Sequence, residues 1–545
     1  MGDDKTSRGL ELPQAMLKFY SAALSDPKSA FQHTFDAWNQ FSGTLTGSGT
    51  LEPPKGDKRF NDPIWTSNPA YRMILQSYLA WCRSSLNWVE TLDLGDRDKD
   101  RARLLMATML DALAPTNSVV GNPAAMKKTL ESGGSNLVTG MRHFVDDMLN
   151  NHGMPSLVDR SKFKVGENLA TTPGKVVHKS DLLELIQYQP QTEKVHGTPI
   201  MIVPPQINKF YVWDLAPERS IIEFLIRQGF TVFTVSWRNP SPDHAAFGLQ
   251  DYVTALDSAS EVVLDISKSK QLHLAGACSG GITTSTLLGY WAAKGIDRAR
   301  SVTLLVTILD TDGVRNTSMG LFTNLETLSL AKTLSRTKGV VNGTDLAKVF
   351  AWLRPNDLIW AYWVNNYLLG NEPPAFDVLY WNSDTTRMTA QLHSDYVALM
   401  EQNGLTKKDS LTILGEQIDL SKVTCDAYIL GGSTDHITPW DGCYRSVNVL
   451  GGKADYVLST SGHVQAIVNP PTNAKAKYRV AAVTPADPDA FLEVSEELSG
   501  TWWGHWTDWL TARSDAQKAA PKSLGNKTHM PTVPAPGRYV MEQES

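Results

Sequence analysis

The stretch LHLAGACSGGITTSTLLGYWAAKG, residues 272–295, places an apolar run, a G-x-C-x-G motif and a helical run in immediate succession. The apolar run predicts a buried strand, and the run after the motif predicts a helix. Gly276 and Gly280 allow a tight turn, because glycine adopts backbone conformations that other residues avoid. Such a turn exposes the side chain of its central residue, Cys278, while the following backbone N–H points at the same reacting carbonyl. The stretch therefore predicts a nucleophile at a strand-to-helix elbow.

Cys278 also stands where a thiolate is favoured. It directly precedes the predicted helix, and the dipole and free N–H groups at that end of a helix stabilise negative charge. Ser279 lies one position past the centre of the motif, which argues against a serine nucleophile. A buried structural cysteine beside packing glycines is the alternative interpretation of the same residues.

Short β-rich runs alternate with longer helical stretches after about residue 165, which predicts a parallel α/β sheet. The sequence between Asp310 and residue 427 is helical, rich in Trp and Asn, and far too long for one crossover connection. It predicts a helical cap, inserted at about 312–420. The β-rich runs are PIMIVPP (199–205), TVFTVSW (231–237), LHLAGA (272–277), SVTLLVTIL (301–309) and AYILGG (427–432).

The 545 residues exceed what one hydrophobic core usually holds, which predicts two units. Residues 1–165 are patterned mainly as helices, including one near Leu12–Ala23, and predict a helical N-terminal domain. Residues 166–545 contain the predicted sheet, the cysteine motif and the cap. In this second region Trp502, Trp506 and Trp509 recur at helical spacing, which predicts packing in a core or an interface.

Composition excludes several classes of function. A net charge of -6 and a pI near 6.1 give no global basic field, which argues against nucleic-acid binding. The polar start MGDDKTSRG lacks a secretory signal, and no run approaches the roughly 18 apolar residues of a membrane span. We therefore expect a cytoplasmic protein. We also expect no metal or cofactor, because the sequence contains no zinc-type ligand spacing, no phosphate-binding loop and no G-x-G-x-x-G motif after a strand. The cysteines show neither metal-type pairing nor a disulfide-framework pattern, which favours a reducing compartment. They are Cys82, Cys278, Cys425 and Cys443.

In a sheet with this elbow, the acid and the base follow the nucleophile in that order, each in a loop after a later strand. Asp435 lies just past AYIL, where a loop acid can hold an imidazole in one tautomer, and His463 lies just past YVLST. Asp310, at the end of an earlier strand, is a rival acid. His436 neighbours Asp435 and is assigned a supporting role at most.

The predicted chemistry is nucleophilic catalysis by a Cys-His-Asp triad on an α/β-hydrolase fold. Backbone N–H groups of Ser279 and of Ile207, in the loop PPQINKF, are the predicted oxyanion donors. Acyl transfer from a thioester to a cysteine makes another thioester, so the acyl group stays activated for an incoming hydroxyl. Sulfur at the elbow therefore favours acyl transfer over simple hydrolysis.

These residues resemble the polyhydroxyalkanoate synthases, and the resemblance runs through most of the chain. The form GACSGG and the loop PPQINKFYV look most like the single-subunit synthases of pseudomonads that polymerise medium-chain monomers. The segments that carry the resemblance are RFNDPIW (59–65), VPPQINKFYVWDL (203–215), VSWRNP (235–240), GACSGGIT (276–283), WLRPNDLIWAYWVNNYLLGNEPPAFDVLYWNSDTTR (352–387), DHITPW (435–440) and SGHVQAIVNPP (461–471).

The resemblance implies an acyltransferase that polymerises (R)-3-hydroxyacyl-CoA into polyester, releases CoA and works through a covalent thioester on Cys278. It maps the acid onto Asp435 and the general base onto His463. It further implies a homodimer that resides in the cytoplasm at the surface of polymer granules, among granule-associated proteins. The helical N-terminal domain would support granule or partner association and dimerisation.

Within the predicted cap, Arg354 is a candidate contact for CoA phosphate, with a structural salt bridge as the alternative. Trp381, Asn382 and Asp384 could shape the substrate channel or pack the cap, and His436 could also contact substrate. Two other functions stay open. The same triad could deliver water, as in a cysteine-dependent intracellular depolymerase or thioesterase, or the chain could be an inactive granule-coating scaffold.

Overall fold

The computed structural model describes residues 21–22, 32–33, 35–36, 38–39, 42–43, 50–314, 317, 320–321, 332–333 and 335–543. Most of the helix predicted near Leu12–Ala23, and parts of the predicted cap, lie outside the described residues. The chain divides into two compact units, the first from Met1–Asp159, Leu321–Thr327 and Lys348–Phe376, and the second from the remaining residues. The boundaries drawn from sequence at residue 165 and at about 312–420 stay predictions.

The described part of the first unit is helical. Asn68 and Asn122 cap two of its helices through side-chain oxygens, and a proline follows each asparagine at the first helical position. Gly140 allows close packing inside the unit, since a Cβ there would lie 1.9 Å from the carbonyl oxygen of Tyr367. The helices are α1 (Ile64–Ser67), α2 (Pro69–Thr91), α3 (Asp96–Ala112), α4 (Pro123–Glu131) and α5 (Ser135–Asn150), with π-helical turns at Asn356–Trp360 and Trp363–Leu368.

The second unit is built on a mixed sheet of ten described strands. The strands are β1 (Gly174–Lys179), β2 (Leu183–Tyr188), β3 (Ile200–Val203), β4 (Val232–Trp237), β5 (Leu272–Ala277), β6 (Ala299–Leu305), β7 (Asp426–Gly432), β8 (Ala454–Ser459), β9 (Lys477–Val480) and β10 (Glu496–Ser499). Their order across the sheet is β1-β2-β4-β3-β5-β6-β7-β8-β9-β10. The central strands from β4 to β8 pair in parallel, and the strands at both edges pair antiparallel.

Helices cover both faces of this sheet, so its central strands are apolar at successive positions. Met201 and Val203 pack into one hydrophobic cluster while Ile200 and Ile202 pack into the other, because side chains alternate across a strand. The predicted parallel α/β sheet is confirmed. The remaining helices are α6 (Ile221–Arg227), α7 (Leu249–Ser267), α8 (Ser279–Lys294), α9 (Gly343–Leu353), α10 (Asp377–Ser383), α11 (Ala390–Gln402), α12 (Trp440–Arg445), α13 (His463–Ile467), α14 (Pro488–Val494) and α15 (Trp502–Thr511).

The tryptophan stripe of α15 is buried in the cluster on one face of the sheet, which confirms the core packing predicted for it. Trp502 and Trp503 donate from their indole nitrogens to the carbonyls of Ala466 and Ile467, at 2.7 and 3.1 Å. The stripe therefore satisfies backbone acceptors at the end of α13 as well as filling the core. In the described part of the chain, no helix combines the length and apolar character that a membrane crossing requires.

Candidate active site

The elbow places Cys278 between β5 and α8 in a conformation that few non-glycine residues adopt, with φ 50° and ψ -122°. Its N–H donates to the carbonyl of Leu305 at 3.0 Å, and its carbonyl accepts from Ile282 at 3.2 Å. These bonds on both sides hold the turn in place. The thiol is thereby projected at the first residue before a 16-residue helix.

Glycine is required at the elbow because other atoms approach it closely. A Cβ on Gly280 would lie 2.4 Å from the carbonyl oxygens of Val203 and Pro204, at the end of β3. A Cβ on Gly281 would lie 2.1 Å from Oγ1 of Thr307. The elbow therefore packs directly against the loop that follows β3, which contains the second predicted oxyanion donor.

The structure brings the predicted acid and base together. Oδ2 of Asp435, in the loop after β7, lies 2.7 Å from Nδ1 of His463, the first residue of α13. Thr438, which the sequence analysis did not select, places its hydroxyl 2.8 Å from the same Oδ2 and 3.0 Å from the same ring nitrogen. Its place three residues after Asp435 in DHITPW is the local signal that could have identified it.

The electrostatics of this pair favour charge on both partners. Burial lowers the pKa of His463, but the charge and hydrogen bond of Asp435, with a further interaction from the thiol of Cys278, raise that pKa to about 10. Burial raises the pKa of Asp435, but His463 and the N–H and hydroxyl of Thr438 outweigh it and leave the pKa below its usual value. An ionised carboxylate therefore orients a ring that interacts with the thiol.

The rival acid and the other thiols are placed differently. Asp310 accepts from the side chain of Asn403 at 2.7 Å and from the N–H of Asp312 at 3.1 Å, so its carboxylate has other partners. The other three cysteines are also free thiols, and burial raises the pKa of each, as it does for Cys425 to about 12. These thiols are Cys82, Cys425 and Cys443.

Ser279 and Ile207, the predicted oxyanion donors, lie on the two segments that pack together at the elbow. Ser279 is the first residue of α8, and its side-chain oxygen accepts from the N–H of Gln206 at 3.1 Å. Ile207 follows Gln206 and is half-buried against the core. Within the described residues, neither Ser279 nor Ile207 donates its N–H to a backbone carbonyl. The roles of both stay predictions.

The residues predicted as contacts for CoA or substrate fall into separate settings. Arg354 belongs to the first unit and pairs with Asp357 one helical turn later. His436 is half-buried beside the acid. Trp381, Asn382 and Asp384 contact the loop after β3, as shown by a 2.7 Å bond from the Trp381 indole to the carbonyl of Lys209. A substrate role for any of these residues stays a prediction.

Residues of the predicted cap that the sequence analysis did not select complete a buried network around Gln206. Its side-chain oxygen accepts from the hydroxyl of Tyr396 at 2.9 Å, and its backbone carbonyl accepts from the hydroxyl of Thr386 at 3.1 Å. No sequence signal joins residues separated by nearly two hundred positions. The described residues contain no cluster of three or more His, Cys, Asp or Glu side chains suited to a metal ion.

Two family models match the chain, "Poly-beta-hydroxybutyrate polymerase (PhaC) N-terminus" at residues 56–225 and "alpha/beta hydrolase fold" at residues 199–470, and the second confirms the predicted fold. Poly(3-hydroxyalkanoate) polymerase 1 of Ectopseudomonas oleovorans is 46% identical over 96% of this chain and 93% of its own length. Poly(3-hydroxyalkanoate) polymerase 2 of that organism is 46% identical over 98% of this chain and 95% of its own. The polymerase subunit PhaC of Cupriavidus necator is 36% identical, covering 96% and 90%. The chain belongs to the poly(3-hydroxyalkanoate) polymerase family.

Proposed function

We propose that the chain polymerises (R)-3-hydroxyacyl-CoA into polyester through a thioester on Cys278, with His463 as the base and Asp435 as the acid that orients it. The observation that carries this proposal is the 2.7 Å bond between Asp435 and a ring that also interacts with the elbow thiol. The family is one of acyltransferases, and an elbow thiol beside an Asp–His pair is an arrangement that supports acyl transfer.

In the first half-reaction, His463 takes the proton of Cys278 and the sulfur attacks the carbonyl carbon of the CoA thioester. The N–H groups of Ser279 and Ile207 stabilise the oxygen of the tetrahedral intermediate. The bond to CoA then breaks, and the departing sulfur takes the proton from the imidazolium. The acyl group is left on Cys278 as a thioester.

In the second half-reaction, the hydroxyl of another hydroxyacyl group attacks this thioester. Its proton passes to His463, the new ester bond forms, and the thiol is regenerated as the carbon–sulfur bond breaks. Asp435 stabilises the imidazolium in both halves. Because Cys278 carries a thioester between them, the acyl group stays reactive toward the hydroxyl.

The test is CoA release from (R)-3-hydroxydecanoyl-CoA by the purified protein, with the products analysed for polymer. Wild type should release CoA and form insoluble polyester, Cys278→Ala should do neither, and Cys82→Ala should match wild type. CoA release that yields only free hydroxy acid would identify a thioesterase, and no release would contradict the proposal. A parallel assay with (R)-3-hydroxybutyryl-CoA checks the preference for medium-chain monomers.

We also propose that the protein is a homodimer in the cytoplasm at the surface of the polymer granule. Val138, Met141, Val145 and Met148 of α5 are exposed, and their spacing places them on one face of the helix. An exposed apolar stripe of this kind suits association with a hydrophobic surface. Met141→Glu should weaken sedimentation with isolated polymer granules, whereas Arg142→Glu, on the next position of α5, should not. Sedimentation velocity of the soluble protein tests the dimer separately.

A further inference from the structure

The loop after β3 contains a peptide whose orientation decides whether the oxyanion site exists. The carbonyl of Gln206 and the N–H of Ile207 belong to one trans peptide, so the two groups point in opposite directions within a plane. Whatever fixes the carbonyl therefore fixes the direction of the N–H. Oγ1 of Thr386 donates to that carbonyl at 3.1 Å, and the threonine is buried.

The other polar groups of Gln206 are held from the side of the elbow. Its N–H donates to Oγ of Ser279 at 3.1 Å, and its side-chain nitrogen donates to Oγ1 of Thr283 at 2.9 Å. Its side-chain oxygen accepts from the hydroxyl of Tyr396, and that hydroxyl oxygen lies 3.2 Å from the carbonyl oxygen of Ser279. With these anchors in place, rotation of the next peptide is the remaining freedom, and Thr386 opposes it.

The residues after Ile207 are held by the same short segment of the cap, residues 381–386. Asn208 has a left-handed φ of 67°, which asparagine tolerates, and its side chain donates to the carbonyl of Asn382 at 3.3 Å. Nζ of Lys209 lies 2.9 Å from Oδ1 of Asp384, and both side chains are buried. Residues predicted from sequence to contact substrate thus bond to successive residues of the oxyanion loop.

We propose that Thr386 is a positioning residue for the oxyanion site: its hydroxyl holds the Gln206 carbonyl so that the N–H of Ile207 faces the thioester carbonyl. This inference rests on the proposed function. Without the hydroxyl, the peptide loses the bond that opposes its rotation, and the N–H spends less time directed at the reacting oxygen. The defect would appear in steps that develop negative charge on the carbonyl oxygen.

Thr386→Val removes the hydroxyl and keeps the branched shape, and Thr386→Ser restores a hydroxyl. Thr389→Val is the matched control, because Thr389 is a buried threonine three residues after Thr386. Its hydroxyl donates to the carbonyl of Phe247 at 2.6 Å and accepts from the N–H of Leu392 at the start of α11, so neither bond involves the oxyanion loop. Two rates are measured for each full-length variant. One is kcat for CoA release from (R)-3-hydroxydecanoyl-CoA, and the other is alkylation of Cys278 by iodoacetamide, followed by mass spectrometry.

Alkylation needs the thiolate but forms no tetrahedral oxyanion. Comparing the two rates therefore separates an effect on the thiolate from an effect on oxyanion stabilisation. For Thr386→Val we expect kcat to fall about 10- to 100-fold, less than the loss of a whole oxyanion donor. Its alkylation rate should stay within about twofold of wild type, because the triad and elbow are intact. Thr386→Ser should recover most of the kcat, and Thr389→Val should match wild type in both rates.

An unchanged kcat in Thr386→Val would overturn the inference. So would an equal loss in alkylation, which would indicate a disturbed elbow, or an equal loss in Thr389→Val, which would indicate general destabilisation of the segment. The parent proposal is judged separately by wild type and Cys278→Ala. Release of CoA that depends on Cys278 sustains it even where Thr386 proves irrelevant, whereas an inactive wild type overturns both.

Discussion

Replacing Asp435 by asparagine changes which ring nitrogen of His463 carries the proton. Oδ2 of Asp435 accepts from Nδ1 of the ring at 2.7 Å, so the proton that the ring takes from Cys278 goes onto Nε2. An asparagine NH2 group in that position would donate to Nδ1 and force the ring proton onto Nε2. The ring could then no longer accept from Cys278. We expect CoA release to fall on the order of 10⁴-fold, as for other triads in the wrong tautomer.

The substitution should leave the loop folded, so this loss is catalytic. The other carboxylate oxygen accepts from the N–H groups of Ile437 and Thr438, both at 2.9 Å, and an amide oxygen can accept both. What is lost is the charge-assisted bond to His463, worth about 1.5–3 kcal/mol, and the bond that the Thr438 hydroxyl donates to the same oxygen. Initial rates of CoA release and urea unfolding of the same samples measure the two effects separately.

Asp310→Asn is the matched control for this prediction. An amide there keeps an oxygen for the side chain of Asn403 and the N–H of Asp312, so we expect a rate within about threefold of wild type. A rate for Asp435→Asn above a tenth of wild type would refute the assignment of the acid. Equal losses in the two variants would also refute it, because the rival acid would then contribute as much.

Further expectations concern the base, the elbow and pH. Trp502→Phe keeps an aromatic side chain but removes part of the buried indole and leaves the Ala466 carbonyl without its donor. It should cost about 1–3 kcal/mol in urea unfolding and lower CoA release by shifting α13. Gly281→Ala forces a Cβ against Thr307, and should cost about 1–3 kcal/mol and much of the activity. The raised pKa of His463 contributes stability that is complete below about pH 6.5 and lost as pH rises through about 10. The stability gap between wild type and the asparagine variant, from urea unfolding at several pH values, should therefore narrow toward pH 10.

The tryptophan and glycine substitutions each have a control variant in α15. Trp506→Phe removes a 2.9 Å bond to Thr303 in the same core. It should lower stability, as Trp502→Phe does, but it should not lower the rate of CoA release. Gly504→Ala adds a Cβ with no atom within 4 Å inside α15, and should stabilise by about 0.4–1 kcal/mol. Equal losses of activity in the two tryptophan variants would contradict the role given to Trp502. Wild-type stability and activity in Gly281→Ala would contradict the packing argument for the elbow. A stability gap that widens toward pH 10 would contradict the charge assigned to His463.

The central strands could be predicted because they are buried on both faces and therefore appear as continuous apolar runs. β9 and β10 could not, since Lys477–Val480 and Glu496–Ser499 are short and largely polar. β9 forms by pairing with β8, and β10 forms by pairing with β9, and no local pattern encodes either tertiary interaction. The antiparallel strands β1 and β2 were not predicted, because no helical stretch separates them.

The candidate triad could be found because its order along the chain is constrained by the sheet. Each residue follows a recognisable strand, and the structure brings Asp435 and His463 within hydrogen-bonding distance. Thr386 and Tyr396 could not be found, because their contribution depends on hydrogen bonds to Gln206 across 180 and 190 positions. Asp384 was predicted either to shape the channel or to pack the cap, and its ion pair with buried Lys209 could not be predicted, because the two residues are far apart in the sequence.

The three groups of the proposed reaction are positioned by different parts of the chain. Close approach of Thr307 requires the glycine at the elbow that presents the thiol, Trp502 holds the helix that begins with the base, and residues 381–386 hold the oxyanion loop. Efficient acyl transfer needs all three in register at once, since misplacement of any one costs rate. The segment 381–386 differs from the other two because it belongs to the predicted cap. Substitutions there that are intended to reshape a channel for longer monomers will therefore also move the Ile207 N–H, and should change kcat as well as chain-length preference.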